Sequence, residues 1–298
     1  MRDQAERLRE LAQKSKKTSE PTLPDKKIKN AKVIAITSGK GGVGKSNISA
    51  NLSIILSQQG KRVALFDADL GLANIDVILG VTPSYNLTHV VSGGKNLNEV
   101  LVEGPAGLKV IAGGSGVHEL AQLSLEQIDK LTSNLSLLEE EMDLILVDTG
   151  AGLSKSVLNF VLAADEIIVV TMPEPTAIAD AYGVIKAIFY HNQEAKVNLL
   201  INRVINQKEA EKVAERIIQV CNQFIGKEIN CLGYVLEDSK ITQAVRIQQP
   251  LVLAYPRCPA SQCLQRVAEM VNNNFLVEEK KMEVQSKNFF QKLFTLLR

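Results

Sequence analysis

The chain has 298 residues, 45% of them hydrophobic and 22% charged, and a formal net charge of +1. That length is ample for a buried core without metal or disulfide staples, and the composition excludes a wholly disordered chain. No apolar run reaches the ~20 residues of a spanning helix, and the start MRDQAERLRE lacks the apolar stretch of a secretory signal, so the chain reads as soluble and cytosolic.

The charge is unevenly spread. Residues 1–32 hold ten Lys/Arg against five Asp/Glu, and residues 278–298 hold five against three. The segment between holds nineteen against twenty-five, so an acidic body carries two basic ends. Such asymmetry is an interaction signal that the average hides. The four cysteines, Cys221, Cys231, Cys258 and Cys263, form no CxxC pair and read as idle thiols of a reducing compartment.

In chain order, residues 1–13 are helix-prone, with Asp3 as a candidate cap and a thin apolar seam through Ala5 and Leu8. Residues 14–31 are polar, contain two prolines and read as a flexible linker. From residue 32 short apolar runs recur at Val33–Thr37, Val63–Asp67, Leu108–Ala112, Leu144–Asp148, Ile167–Thr171, Val197–Asn202 and Cys231–Val235. Helix-length segments separate most of them, including Ile48–Gln59, Glu126–Glu140, Ile178–His191 and Glu209–Phe224. Continuous apolar strands are covered on both faces, and strands alternating with helices make right-handed crossovers. The spacing predicts one α/β domain over 32–277, with a mostly parallel central sheet flanked by helices on both faces.

The strongest chemical signal is Gly39-Lys40-Gly41-Gly42-Val43-Gly44-Lys45-Ser46, followed by Asn47. It follows a strand, opens a helix and satisfies GxxxxGK[ST]. Its glycines let backbone N–H groups surround phosphate oxygens, and the helix start adds its positive end. Lys45 would reach the β- and γ-phosphates, and Ser46 would ligate Mg²⁺. Two further acid-ended strands follow. Asp67 and Asp69 end the second run, and Asp148 ends Leu144–Asp148, where such acids hold Mg²⁺ through water. Thr149-Gly150-Ala151-Gly152 then reads as a loop free to move with the γ-phosphate. Asn202-Arg203 ends the sixth run, and an asparagine amide can read an adenine edge. No acid follows in the pattern of a guanine reader, so ATP is favoured over GTP.

The C-terminal segment 278–298 runs from a charged linker into a helix. On a helical wheel Phe289, Phe290, Leu293, Phe294, Leu296 and Leu297 share an arc of about 160°, with Lys292 on the flank. An apolar face with basic neighbours suits an anionic bilayer surface. A helix this short is expected to stay unfolded until something binds it, the alternatives being an ordinary helix docked on the body or a partner-binding peptide.

The loop KGGVGKS and the body around it resemble the MinD/ParA family of deviant phosphate-loop ATPases. The resemblance implies that Lys40 crosses the interface of an ATP-bound homodimer to the partner's nucleotide. It implies that Asp69 positions the attacking water, that Asp67 supports the Mg²⁺ shell, and that Asn202, Arg203, Glu237 and Asp238 lie on the base side. It also implies membrane targeting by the C-terminal helix. Thr149 departs from the family's usual DxPxG. DQAxxLR at Asp3, Gln4, Ala5, Leu8 and Arg9 resembles the flagellar FlhG (YlxH) subgroup, whose N-terminal segment stimulates the GTPase FlhF. That resemblance implies an FlhF-type GTPase and flagellar C-ring proteins as partners, Gln4 as a water-orienting residue, and a cytoplasmic protein reversibly bound to the inner face of the cell membrane.

Two other classes share such a body. A metal-cluster carrier usually has a late CPxC pair, whereas here four residues separate Cys258 from Cys263. A ParA-like DNA-segregation ATPase needs a basic surface to neutralise phosphates, which the acidic body opposes, so no nucleic acid is expected.

Overall fold

The computed structural model describes residues 31–69, 74–92, 94–113, 125–279 and 288–297. The predicted N-terminal helix and linker, with Asp3, Gln4, Leu8 and Arg9, lie outside the described residues, apart from Ala31.

Eight strands form one sheet in the order β3-β4-β2-β5-β1-β6-β7-β8. They are β1 (Lys32–Ser38), β2 (Val63–Ala68), β3 (Val102–Glu103), β4 (Lys109–Ile111), β5 (Leu144–Ala151), β6 (Glu166–Thr171), β7 (Val197–Val204) and β8 (Asn230–Leu236). All pair in parallel except the two-residue β3, which runs antiparallel to β4. β1, β2 and β6 are buried along their whole length, as strands covered on both faces must be.

The helices are α1 (Lys45–Gln58), α2 (Ile75–Leu79), α3 (Leu87–Val91), α4 (Leu97–Val100), α5 (Leu125–Glu141), α6 (Lys155–Ala163), α7 (Pro175–His191), α8 (Gln207–Ile225), α9 (Ser239–Arg246), α10 (Leu251–Ala254), α11 (Pro259–Glu279) and α12 (Phe289–Leu297). Their ends follow local chemistry. Asn206 caps α8 by accepting the Glu209 N–H at 3.0 Å, and Gly226 ends it in the left-handed region at φ 70°. One sheet face packs on α1, α10 and α11 through Leu52, Ile54, Leu251 and Leu264. The other packs on α5, α6 and α12 near β2, and on α7 and α8 near β7.

The expectation of an unfolded C-terminal helix is corrected. α12 is formed and seated on the body, with Phe289, Phe290, Leu293 and Phe294 buried beside Phe66, Leu131, Leu135 and Phe160. Burial of a side chain of this size contributes about 1.5–3 kcal/mol, which offsets the ordering cost that leaves a free nine-residue helix unformed. Phe66 meets Phe160 edge-on at 5.7 Å between centroids and Phe290 at 6.3 Å. Glu139 on α5 caps the helix, accepting the N–H groups of Phe289 at 3.3 Å and Phe290 at 3.0 Å. At its far end Asn159 on α6 donates to the Leu296 carbonyl at 3.1 Å. Lys292 pairs with Asp165 at 3.2 Å, and Asp165 also accepts the Val33 N–H at 3.0 Å.

Burial raises the Glu139 carboxyl from 4.5 to about 7, against the two N–H groups that favour its charged form. Asp165 also raises it and Lys292 lowers it. A raised folded value means that its contribution is fully present below pH 4.5 and is lost as pH climbs through about 7. Amide hydrogen exchange at Leu293 and Phe294, corrected for intrinsic rates, is therefore expected to quicken between pH 5 and pH 7.5. In Glu139→Gln the profile is expected to be flat.

Candidate active site

The site lies at the C-terminal ends of β1, β2, β5 and β7, where α/β sheets place ligands. β1 runs into residues 39–44 and then α1, whose first residue is Lys45. Gly42 (φ 79°) and Gly44 (φ 93°) hold left-handed conformations that turn the loop's N–H groups inward. A Cβ on Gly41 or Gly42 would meet nothing within 4 Å, which leaves the cradle open for phosphate. At Gly44 a Cβ would lie 2.4 Å from Asn202 Nδ2.

Three predicted site residues converge behind the loop. Asp67 and Asp148 are register partners on β2 and β5, and each is only 1% exposed. Lys45 Nζ stands 3.5 Å from Asp148 Oδ1. Burial pushes the Asp148 carboxyl up, while Lys45 and the Ser46 and Ser49 hydroxyls pull it down. Burial and then the Asp148 charge raise Asp67 to about 7. Asp67 also accepts the N–H groups of Asp69 at 3.1 Å and Asn74 at 3.2 Å. Two buried carboxylates beside one ammonium and the Ser46 hydroxyl form a hard oxygen donor set, and Mg²⁺ fits it. Asp69 lies at the mouth, facing Gly150, where a Cβ would stand 3.6 Å from its Oδ1.

Thr149, Gly150 and Ala151, expected to lie in a mobile loop, continue strand β5 instead, and the segment is tied to β1. Thr149 Oγ1 donates to the Ile36 carbonyl at 3.1 Å, and the Gly152 N–H donates to the Ser38 carbonyl at 2.8 Å. Lys40 reaches its own chain, donating to Glu174 at 3.0 Å and Thr176 at 3.2 Å. Both bonds are solvent-exposed, and exposed pairs of this kind contribute about 0–1 kcal/mol, so the lysine is readily released.

A slot opens beside the loop. Ile48, Val235, Ile241, Leu251 and Leu264 supply apolar walls, and Asn47, Asn51, Asn202 and Arg203 supply polar edges. Apolar walls with a few polar groups suit a planar base. Asn202 lines this slot, and its amide is engaged with backbone. Nδ2 donates to the Val43 carbonyl at 2.7 Å, and Oδ1 accepts the Arg203 N–H at 2.9 Å. It straps the phosphate loop to β7, and the left-handed Arg203 (φ 56°) turns the chain beyond it. Glu237 and Asp238 do not line the slot. Asp238 caps α9 through the Lys240 N–H at 2.9 Å and accepts the Ala260 N–H at 3.4 Å, so its carboxylate serves the scaffold.

Ser49, Asn51 and the four wall residues Ile48, Ile241, Leu251 and Leu264 were not found from the sequence. Ser49 Oγ donates to Asp148 Oδ1 at 2.8 Å from 99 residues away, a pairing no local motif announces.

The model of the CobQ/CobB/MinD/ParA nucleotide binding domain matches residues 34–251. The chain belongs to this MinD/ParA family. It is 38% identical to antiactivator FleN of Pseudomonas aeruginosa over 241 residues, 81% of this chain and 86% of that one. It is 38% identical to flagellum site-determining protein YlxH of Helicobacter pylori over 273 residues, 90% and 91% of the two chains. The MinC:MinD cell division complex of Aquifex aeolicus superposes with a TM-score of 0.66 at 26% identity, covering 87% of this chain and 99% of that one. The chain is a MinD-type ATPase, and its donors fit the ATP and Mg²⁺ that the family binds.

Gly44→Ala joins a disfavoured backbone conformation to the Asn202 collision. It is expected to weaken ADP binding at least tenfold in titration calorimetry while the chain stays folded by circular dichroism.

Proposed function

We propose that this MinD-type ATPase is a nucleotide-driven switch that regulates flagellar number or placement at a membrane surface. The structural observation that supports the membrane switch is the seat of α12. Phe290 touches Phe66, the neighbour of Asp67, and Asn159 of α6 holds the other end, just beyond the segment that follows Asp148. Both acids of the Mg²⁺ set are thus one or two elements away from the helix with the membrane-type face. The likeness to FleN and YlxH supports the flagellar setting.

In this reading the loop N–H groups and Lys45 bind the phosphates, and Ser46, Asp67 and Asp148 hold Mg²⁺, which neutralises charge on the phosphate oxygens. Asp69 orients the attacking water. Lys40 leaves Glu174 and Thr176 to reach the nucleotide of a second copy, where a cation supplied in trans stabilises the spreading charge. Homodimer formation displaces α12, whose face of Phe289, Phe290, Leu293, Phe294, Leu296 and Leu297, flanked by Lys292, enters an anionic bilayer. One short helix binds weakly, and two in a dimer add by effective concentration. Hydrolysis reverses both steps. The N-terminal segment with Asp3, Gln4, Leu8 and Arg9 stimulates an FlhF-type GTPase, and flagellar C-ring proteins are further partners.

Asp69→Ala is expected to cut hydrolysis by about 100-fold or more yet to float with phosphatidylglycerol vesicles in ATP. Leu293→Glu should hydrolyse ATP but not float. Gel filtration of Asp69→Ala in excess ATP is expected to show a dimer, and a monomer there refutes the switch. Lys40→Ala is expected to remain monomeric in ATP.

A further inference from the structure

We infer that Asn51 is a positioning residue for the base slot: it holds the Leu251 wall at the distance a nucleotide base requires. This rests on the nucleotide reading of the site and deepens it.

Two walls of the slot are made differently. Asn47, Ile48 and Asn51 stand on α1, which is anchored along its length in the core. Leu251 stands on α10, a helix of only four residues. It enters through Gln248, held in the left-handed region at φ 52°, and Pro250. A one-turn helix cannot satisfy its own first N–H groups, so α10 needs an outside acceptor.

Asn51 supplies it. Its Oδ1 accepts the N–H of Val252 at 3.0 Å, and its Nδ2 donates to the carbonyl of Asn47, one turn back on α1, at 2.7 Å. The side chain is only 1% exposed. Both ends of the amide are therefore engaged with backbone, one on each side of the slot. Asparagine is a poor residue for a helix interior, because it competes for local backbone groups. Its presence in the second turn of α1 is explained by this strut. Asn202 makes the corresponding link between the phosphate loop and β7. The two asparagines divide the work: Asn202 fixes the loop that takes phosphate, and Asn51 fixes the wall against the base.

The consequence separates two parts of one ligand. Phosphate binding uses the loop and Lys45, which Asn51 does not touch through its side chain. Base binding uses the slot. Loss of Asn51 should then weaken ligands in proportion to their base contact.

The test compares ADP with inorganic tripolyphosphate on the full chain, by calorimetry in Mg²⁺. Asn51→Leu keeps the volume and removes both hydrogen bonds. Asn51→Ala removes them with a better helix former and serves if the leucine variant does not fold. Either is expected to weaken ADP binding at least tenfold while tripolyphosphate binding stays within twofold. KM for ATP is expected to rise more than kcat falls. Unchanged ADP affinity overturns the inference, as does a parallel loss of ADP and tripolyphosphate, which would mean general damage to the loop. If the wild-type chain binds tripolyphosphate but not ADP, the nucleotide reading of the slot itself fails, and the inference fails with it.

Discussion

Two carboxylates sit side by side at the ends of neighbouring strands, out of water. Asp67 and Asp148 are register partners, and Lys45 lies within ion-pair distance of Asp148. Like charges in so poor a solvent repel and are costly to ionise. The surrounding architecture answers that cost. The phosphate loop brings Lys45 and Ser46, α1 brings Ser49, and the start of α2 turns backbone N–H groups toward Asp67. A divalent cation held by Asp67, Asp148 and Ser46 would offset that repulsion.

From those acids the rest of the molecule is connected by short steps. Phe66 precedes one of them and leads into the aromatic contact with α12. Thr149 follows the other and ties the end of β5 to β1. Strand β5 leads into α6, against which α12 is packed. An energetic change at the acids therefore has a physical route to the far face of the sheet, made of two packed aromatic contacts and one helix.

Much of this was legible in the residues. The phosphate loop is read from spacing, because its function is carried by backbone and the required glycines are visible. The strands are read from apolar runs, because both faces are covered. Strand β3 escaped, since two residues carry no pattern. Several of the remaining gaps are side-chain hydrogen bonds between residues far apart in the sequence. Ser49 reaches Asp148, Asn51 reaches Val252, and Asp238 reaches Ala260. An acid after a strand looks alike whether it contacts a ligand or caps a helix. The wheel of α12 likewise shows an apolar face but not what the face meets, and a protein core satisfies it as well as a bilayer does.

The seat of α12 also bears on solubility. The helix hides Phe289, Phe290, Leu293 and Phe294 and at the same time covers Phe66, Phe160, Leu131 and Leu135, while Leu296 stays exposed. A chain that has let the helix go carries two sticky surfaces, and a lipid bilayer covers only one of them. Shortening the chain before Phe289 leaves the second surface bare from the start. Truncation is thus not a silent deletion of an appendage: it uncovers part of the core and invites aggregation.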